Sequence, residues 1–452
     1  MLKLARNAFG DKEVFYTDGG ATISWRYIKE LYNVQTADVL HIGNKLKNKH
    51  IHSHNQKMKV AIAAQTLSHS VAAGIMYLRS LKLEQFENSE HTAEFILKIN
   101  NMFDILNTRS KFGKQYKSPI KLDNLTELEK ELHDTISYLK ELKGADGTKL
   151  IDGPRKTFIV GFAVSTKSII ALAKQLLNRN HNKFEYVLTY RFSQDQLEMF
   201  FSKIRSRLGW NNNPNALQFK WALRALLQKN QISAPQTANC SVIDEDKMNQ
   251  EMEHLDSKIV DYLNCSPIWR DDVLAYIGGY VVKKITTSIK CPECAVALVV
   301  EDNDNQAALP DHIYCQSSSP KSSLISYKSY GKLTTPSPSA IKVITVADRM
   351  LRQMLGKWSS LTSQAKATLQ RDVLQEVKLS SFVSLQQHSC ETHVFDEHFR
   401  DDHITTIIKR IMDLYAKIFL HRFGKFYSKR VVRGGKASKR PKLTRLVLFG
   451  NE

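Results

Sequence analysis

Two acidic and two basic side chains stand at helical spacing in the segment from residue 192 to residue 214. Asp195, Glu198 and Ser202 occupy positions i, i+3 and i+7, so they share one face of a helix. The two carboxylates fall in the first turn, at the positive end of the helix dipole. Arg205 and Arg207 follow one or two turns later. The pattern fits a metal-binding acid with phosphate-binding arginines nearby, and it also fits an ordinary surface helix with acids at its start and bases at its end.

A helix is predicted to hold these side chains because the segment carries both start and stop signals. Ser193 or Asp195 can accept hydrogen bonds from the first amides of the helix. Gly209 suits the position after the last turn, and residues 211–214 cannot continue a helix. The predicted buried stripe of this helix consists of Leu197, Phe200, Phe201, Ile204 and Leu208.

Apolar residues at helical spacing predict further helices along the chain. They cover residues 1–9, 59–81, 89–107, 128–142, 168–177 and 402–419. Polar or Gly-, Ser- and Pro-rich segments predict turns, loops or linkers at 144–154, 178–183, 228–258, 317–323 and 334–339. The sequence shows no internal repeat, and helix dominates the prediction.

The charge of the chain favours a polyanionic partner. The 452 residues include 65 Lys and Arg against 45 Asp and Glu, which gives a net charge of +20. Ten of these cations and no acid lie between residues 422 and 445, so the tail carries half of the excess. Nucleic acid is the expected partner, because each cation on a phosphate releases counterions. The tail itself is either a solvated, disordered segment or a DNA-binding or nuclear-import segment.

Cysteine usage and hydropathy indicate the compartment. Six cysteines in a chain of this length do not form a disulfide framework, so a reducing interior, cytosol or nucleus, is expected. The sequence has no run of 18 apolar residues, and we therefore expect no membrane-spanning segment.

The segment from residue 193 to residue 214 closely resembles a motif of the P-element-type DNA transposases and their THAP-domain-containing relatives. The matching pattern is S-Q-D-x-L-E-x-F-F-S-x-I-R-S-R-x-G-x-N-N-N-P. The resemblance implies an RNase H-like catalytic domain in which Glu198 is the third metal-binding acid. Further stretches that resemble this family lie at 1–7, 57–72, 103–107, 275–282, 291–294 and 442–449, so the resemblance covers nearly the whole chain.

The resemblance also implies a GTP site. The chain has no phosphate-binding Gly-rich loop of the Walker A type, but the family binds GTP without one. Chemically, an aspartate can accept the N1 and N2 protons of guanine, Lys45 can neutralise phosphate, and Asp195 can hold the Mg²⁺ of the nucleotide. Helix capping is the alternative role for Asp104 and Asn107. The matching nucleotide-binding positions are Lys45, Val60, Ser68, Asp104, Asn107 and Asp195.

By the same resemblance, catalysis is the cleavage and transfer of DNA strands by two Mg²⁺ ions that two aspartates and Glu198 hold. Residues 1–7 resemble the family's stretch just after its second catalytic aspartate. We therefore expect an N-terminally truncated copy that lacks both aspartates and is inactive alone. The alternative is an inactive GTP- and DNA-binding remnant that acts as a repressor or a domesticated host factor.

The implied partners are GTP and DNA, the latter both at the transposon ends and at the target. The resemblance also implies a homo-oligomer for the full-length protein, a location in the nucleus and no membrane partner. Cations near the third acid and in the tail are the candidate DNA contacts. They are Lys203, Arg205, Arg207, Lys429, Arg430, Lys439 and Arg440.

Two cysteines have the spacing of zinc ligands. Cys291 and Cys294 form one C-x-x-C pair, which Cys315, alone or together with His312, could complete, and ordinary cysteines are the alternative. A second, looser group consists of His388, Cys390 and His393.

The predicted fold class is mixed α/β and helix-rich. A partial RNase H-like catalytic domain is interrupted by a mostly helical GTP-binding insertion and followed by a helical C-terminal region. The predicted boundaries are 1–18 for the first RNase H-like part, 19–185 for the insertion, 186–228 for the RNase H-like part with the third acid, 229–260 for a linker, 261–421 for the C-terminal domain and 422–452 for the basic tail.

Overall fold

Helices make up almost all regular structure in the computed structural model of this chain. The structure describes residues 1–36, 38, 40–42, 44–52, 56–177, 184–207, 209, 211, 213–228, 267–289, 291–300, 324–328, 333–357, 364–377, 381–382, 385 and 403–431. Within these ranges, sixteen α-helices and one two-stranded sheet are present. The helix-rich fold class is confirmed. The predicted loop at 178–183 and linker at 229–260 lie outside the described residues.

The helices α1 to α16 span, in order, Leu2–Lys12, Arg26–Thr36, Asn48–Ile51, Val60–Thr66, His69–Ser80, Glu90–Leu106, Leu122–Glu141, Thr157–Leu177, Asp195–Arg207, Ala216–Gln228, Arg270–Thr286, Pro292–Val296, Leu324–Lys328, Pro338–Lys357, Gln364–Val377 and His403–Val431. Strands β1 and β2 span Val14–Tyr16 and Thr22–Ser24. Three single 3-10 turns lie at Glu84–Phe86, Gln115–Lys117 and Thr189–Phe192.

Helix boundaries differ from the prediction in several places, including α7, which starts six residues before the predicted 128. The single helix predicted over 59–81 was wrong, because Leu67 and Ser68 leave helical geometry and Ser68 becomes the N-cap of α5, with φ −117° and ψ 152°. Helix α8 starts eleven residues before the predicted 168. Helix α16 continues to Val431, so the first ten residues of the predicted tail are helical.

Contacts between residues divide the chain into two compact units, each built from separate stretches. Unit 1 contains residues 1–22, 53–67 and 97–246. In it, α1 packs against α4 and α8, and α8 packs against α7. Arg6 of α1 is fully buried and donates to the backbone oxygen of Gln56 (3.2 Å). Helix α1 is therefore an internal element of this unit.

One helix of unit 1 has the length and composition to cross a membrane. An 18-residue window of α8 has a mean hydropathy of 1.4. The sequence prediction required an uninterrupted apolar run, and polar residues at 165–168 interrupt the apolar residues of α8. One face of α8, including Phe158, Phe162 and Ile169, is buried, and α8 packs against α7 and α1. The core helix of a folded protein passes the same test, and we assign no membrane role to α8.

Unit 2 contains residues 23–52, 68–96 and 247–452. Its central helix is α14, which packs against α11, α15 and α16. Residues 23–52 and 68–96 belong to the same unit, in which α2 packs on α5 and α5 packs on α13. Unit 2 therefore has one core to which residues more than 200 positions apart contribute.

A network of five charged or polar side chains in this core includes the fully buried carboxylate of Asp38. Asp38 accepts hydrogen bonds from Arg270 (2.9 Å) and Arg352 (2.9 Å). Arg352 also donates to Asp348 (2.8 Å), which accepts a further bond from the Tyr415 hydroxyl (2.6 Å). Burial, and then the Asp348 charge, raise the pKa of Tyr415. Two arginines balance two aspartates, as buried charges require.

This ion network should stabilise unit 2 far more than a surface ion pair does. We predict that Arg352→Met destabilises the unit by about 3–5 kcal/mol, because two buried carboxylates each lose a cation. Hydrogen exchange in α11, α14 and α16 measures the effect. The control is Arg349→Met on the same helix, since Arg349 pairs with Glu376 at the surface and such a pair contributes about 0–1 kcal/mol. Equal exchange rates in the two variants would contradict the prediction.

Candidate functional site

The end of α6 and the segment that leads into α9 are joined by a buried threonine. The Thr189 hydroxyl accepts a hydrogen bond from the Thr108 N–H (2.9 Å) and donates to the Ile105 carbonyl (2.7 Å). The Tyr190 N–H donates to the Thr108 carbonyl (3.2 Å). Thr108 and Thr189 are 2% and 1% exposed. These bonds hold the two segments next to each other, although about 80 residues separate them in the chain.

An arginine extends this junction to the start of α9. The Arg109 guanidinium lies 4.0 Å from the centre of the Tyr190 ring and 3.4 Å from the carboxylate of Asp195. The side chains of Arg109 and Asp195 are 56% and 29% exposed, so an incoming group can reach both. Arg109 was not among the predicted site residues. Its position two residues after Asn107 was the one available signal in the sequence.

Asp104 lies in the last turn of α6, next to this junction. Its Oδ2 atom accepts from Asn100 (3.0 Å) and lies 3.6 Å from the Lys117 ammonium group. The side chain is 17% exposed, and burial raises the pKa of Asp104, against the opposing effect of Lys117. The predicted capping alternative does not describe this carboxylate, because the Thr108 hydroxyl makes the bond to the backbone oxygen at this helix end (3.0 Å).

The structure places the other predicted nucleotide-binding residues in both units. Asn107 directly follows α6, and Val60 is the first residue of α4, both in unit 1. Lys45, which is exposed, and Ser68 belong to unit 2. Unit 1 therefore brings the segments of Asp104, Asn107 and Asp195 together. That all six residues bind one nucleotide stays a prediction.

Glu198 lies with Asp195 in the first turn of α9, as predicted from spacing. Its side chain is exposed, and its N–H donates to the Gln194 carbonyl (2.9 Å). The Asp195 carboxylate suits Mg²⁺, because this ion binds through one or two carboxylates together with phosphate and water. Among the described residues, no three His, Cys, Asp or Glu side chains form a complete metal cage.

The buried stripe predicted for α9 was partly wrong. Ile204 is fully buried, against Ala222 and Leu226 of α10. Leu197 and Phe201 are instead 58% and 46% exposed. The contact with α10 buries Ile204 and part of Phe200, whereas Leu197 and about half of Phe201 stay exposed, and Leu208 lies outside the described residues.

The predicted DNA-contacting cations differ in accessibility. Lys203 is 8% exposed, Arg205 is half-buried and Arg207 is exposed. Lys429 and Arg430 lie in α16, but their side chains, and the whole of Lys439 and Arg440, are outside the described part of the chain. DNA contact by these residues stays a prediction.

Cys291 and Cys294 are buried and reduced at the start of α12. The partners that would complete a zinc site, His312 or Cys315, lie outside the described residues, as do His388, Cys390 and His393. The zinc site therefore also stays a prediction.

Three family models match successive parts of this chain. A model described as "TNP-like, GTP-binding insertion domain" matches residues 1–119. One described as "TNP-like, RNase H C-terminal domain" matches residues 190–224. One described as "DNA transposase THAP9, C-terminal domain" matches residues 264–425. The first match includes residues 1–18, which were predicted to belong to the RNase H-like part, and the exact boundaries stay a prediction.

Two curated proteins are similar to the chain. The human DNA transposase THAP9 is 25% identical over 451 residues, which cover 92% of this chain and 48% of that protein. The transposable element P transposase of Drosophila melanogaster is 27% identical over 317 residues, which cover 65% of this chain and 40% of that protein. The chain thus spans about half the length of these relatives, or less.

A solved structure described as "Drosophila P element transposase strand transfer complex" is also similar. It is 28% identical, has a TM-score of 0.42, and the match covers 51% of each chain.

The Thr189 hydroxyl should be needed to hold the two segments of the site together. We predict that Thr189→Val costs about 1–3 kcal/mol, because a buried N–H and a buried carbonyl lose their partner. Hydrogen exchange at residues 105–109 and at the start of α9 reports the loss. Thr189→Ser keeps the hydroxyl and serves as the control. A Val variant with exchange no faster than that of the Ser variant would show that the hydroxyl does not hold the junction.

Proposed function

Because the chain belongs to the family of P-element-like transposases, we propose that it supplies the nucleotide-binding and third-acid parts of a GTP-dependent DNA transposase. The reaction is cut-and-paste transposition in the nucleus, by cleavage and transfer of DNA strands. The junction between α6 and α9 supports this proposal, since Asp104 lies in the last turn of α6 and Arg109, just beyond that helix, contacts the half-buried Asp195 at the start of α9.

Guanine recognition is assigned to Asp104. An ionised carboxylate accepts hydrogen bonds, and guanine offers two adjacent donors at N1 and N2. Both described side-chain contacts of Asp104 use Oδ2, which leaves Oδ1 for an incoming donor. The low exposure of Asp104 strengthens such bonds, because fewer water molecules compete for the carboxylate.

Phosphate and metal binding are assigned to Arg109 and Asp195. Mg²⁺, when bound, supplies charge neutralisation at the phosphates, and Asp195 would be its protein ligand. Arg109 is held on the Tyr190 ring, so its guanidinium is oriented before a phosphate arrives. Since Arg109 also contacts Asp195, both side chains would lie near the same phosphates of the nucleotide.

For DNA chemistry, Glu198 is the proposed third carboxylate. Two metal ions would activate the attacking oxygen and stabilise the leaving oxygen. Glu198 alone does not hold two ions, so activity requires two further aspartates. The alternative function, an inactive GTP- and DNA-binding remnant that acts as a repressor or a host factor, uses the same binding residues without those aspartates.

Mapping the 5′ end of the transcript separates these two functions. A reading frame that continues upstream through two aspartates supports the transposase, and Glu198→Gln should then abolish strand transfer. A transcript that starts at Met1 supports the binding remnant.

Asp195 should make GTP binding depend on Mg²⁺. We predict that Mg²⁺ tightens GTP binding by wild type and has little effect on Asp195→Asn, since the amide does not neutralise the ion. Calorimetric titration with and without Mg²⁺ measures the difference. Asp134→Asn, an exposed position on α7, is the control with the same chemical change. An Asp195→Asn variant that keeps the full Mg²⁺ effect would remove Asp195 from the site.

The basic tail should set the salt dependence of DNA binding. Each phosphate contact on duplex DNA contributes about −0.9 to the slope of log affinity against log salt concentration. We predict that Lys439→Gln with Arg440→Gln reduces the magnitude of the slope by up to about 1.8. The control is Lys130→Gln with Lys140→Gln on the exposed face of α7, which changes net charge equally. Equal slopes in the two double variants would show that Lys439 and Arg440 do not contact DNA phosphates.

A further inference from the structure

A cavity of about 460 Å³ lies within unit 2, between α11, α13 and α16. Tyr276, Tyr280 and Lys283 of α11 and Arg422 of α16 line it. The sequence around the two tyrosines, residues 275–282, is a stretch of the family resemblance that the transposase chemistry leaves without a role. Cavities of this size, with aromatic and apolar walls and a few polar groups, bind small molecules in many proteins.

One face of α11 forms a wall of the cavity. Tyr276, Tyr280 and Lys283 follow at i, i+4 and i+7, so their side chains lie on the same side of the helix. Gly279 allows the opposite wall to come close, because a Cβ atom at this position would lie 2.2 Å from the Thr334 carbonyl oxygen. The close backbone approach keeps the tyrosines beside the Thr334 segment.

The cavity carries positive charge that the described residues do not balance. Its lining includes Lys283 and Arg422 and no carboxylate. The Nη1 atom of Arg422 is buried and has no hydrogen-bond partner among the described residues. A third cation, Lys328, lies behind Tyr276, with its ammonium group 5.1 Å from the ring centre.

Burial makes a positive charge unfavourable at two of these cations, Lys328 and Arg422. Burial, and then the charge of Arg422, lower the pKa of Lys328 to about 7. Burial also lowers the pKa of Arg422. A guanidinium with a buried Nη1 atom and no acidic partner among the described residues is costly, and an anion that enters the cavity would remove this cost.

We propose that this cavity binds a nucleotide, with the phosphate on Arg422 and Lys283 and the base against Tyr276 and Tyr280. A guanidinium is well suited to phosphate, because it can donate two parallel hydrogen bonds. The tyrosine rings can stack on a planar base, and such stacking does not depend on which base it is. This site goes beyond the proposed GTP site, with which it shares no residue. A free nucleotide and a nucleotide within a DNA strand present the same chemistry.

Photo-crosslinking tests this proposal on the full chain. The probes are 5-iodo-dUMP and a single-stranded oligonucleotide that contains one 5-iodouracil, both used without GTP, because GTP would compete for the same cavity. After irradiation, trypsin releases residues 271–283 as one peptide that contains both tyrosines. We expect this peptide to carry the label in wild type. Arg422→Met should reduce labelling about tenfold, the effect of losing a charged hydrogen bond.

The matched control is Arg410→Met, at an exposed position of the same helix, which should label like wild type. Labelling by both probes assigns a free nucleotide, and labelling by the oligonucleotide alone assigns a DNA strand. An unlabelled 271–283 peptide with either probe, or equal labelling of the two variants, would overturn the proposal.

Discussion

The candidate site depends on the two hydrogen bonds of the Thr189 hydroxyl. This group joins the end of α6 to the segment before α9, and neither segment would position the other through local sequence alone. Its burial leaves no water to replace these bonds, so the junction has one favourable geometry. Asp104 on one side and Asp195 on the other then have a defined spatial relation, which a nucleotide site requires.

Unit 2 depends in the same way on its buried ion network. Asp38 lies in the part of the chain that matches the GTP-binding insertion, whereas Arg270 and Arg352 lie in the part that matches the C-terminal domain. Because each charge needs its partner, neither part can bury its share of the network alone. The two family matches therefore describe segments that fold into one core.

Local signals in the sequence predicted α1, α6, α7, α8, α9 and α16 at least in part, but they did not predict α2, α10, α11, α14 and α15. Helix α6 was predicted within one residue at each end, because its apolar spacing is regular. The start of α8 was missed where polar residues break the pattern, and the break at Ser68 was missed because Ala-rich sequence favours an uninterrupted helix. The exposure of Leu197 could not be predicted, since it depends on which helix packs on α9.

The site was predicted mainly from the family motif. Spacing alone placed Asp195 and Glu198 on one face but allowed an ordinary surface helix. The proposed role of Arg109 and the cavity beside Tyr276 depend on contacts between residues far apart in sequence, and the closeness of Arg109 to Asn107 in the chain was too weak a signal to select it. The positive charge of the chain indicated phosphate-bearing partners without saying where they bind.

Base preference tests the central claim, that Asp104 recognises guanine. Wild type should bind GTP more tightly than XTP, because the carboxylate accepts from N1 and N2 of guanine. In Asp104→Asn, the amide donates a proton, which matches the carbonyl oxygen at C2 of xanthine, and the preference should reverse towards XTP. An Asp104→Asn variant that binds XTP no better than wild type does, and still prefers GTP, would contradict the account.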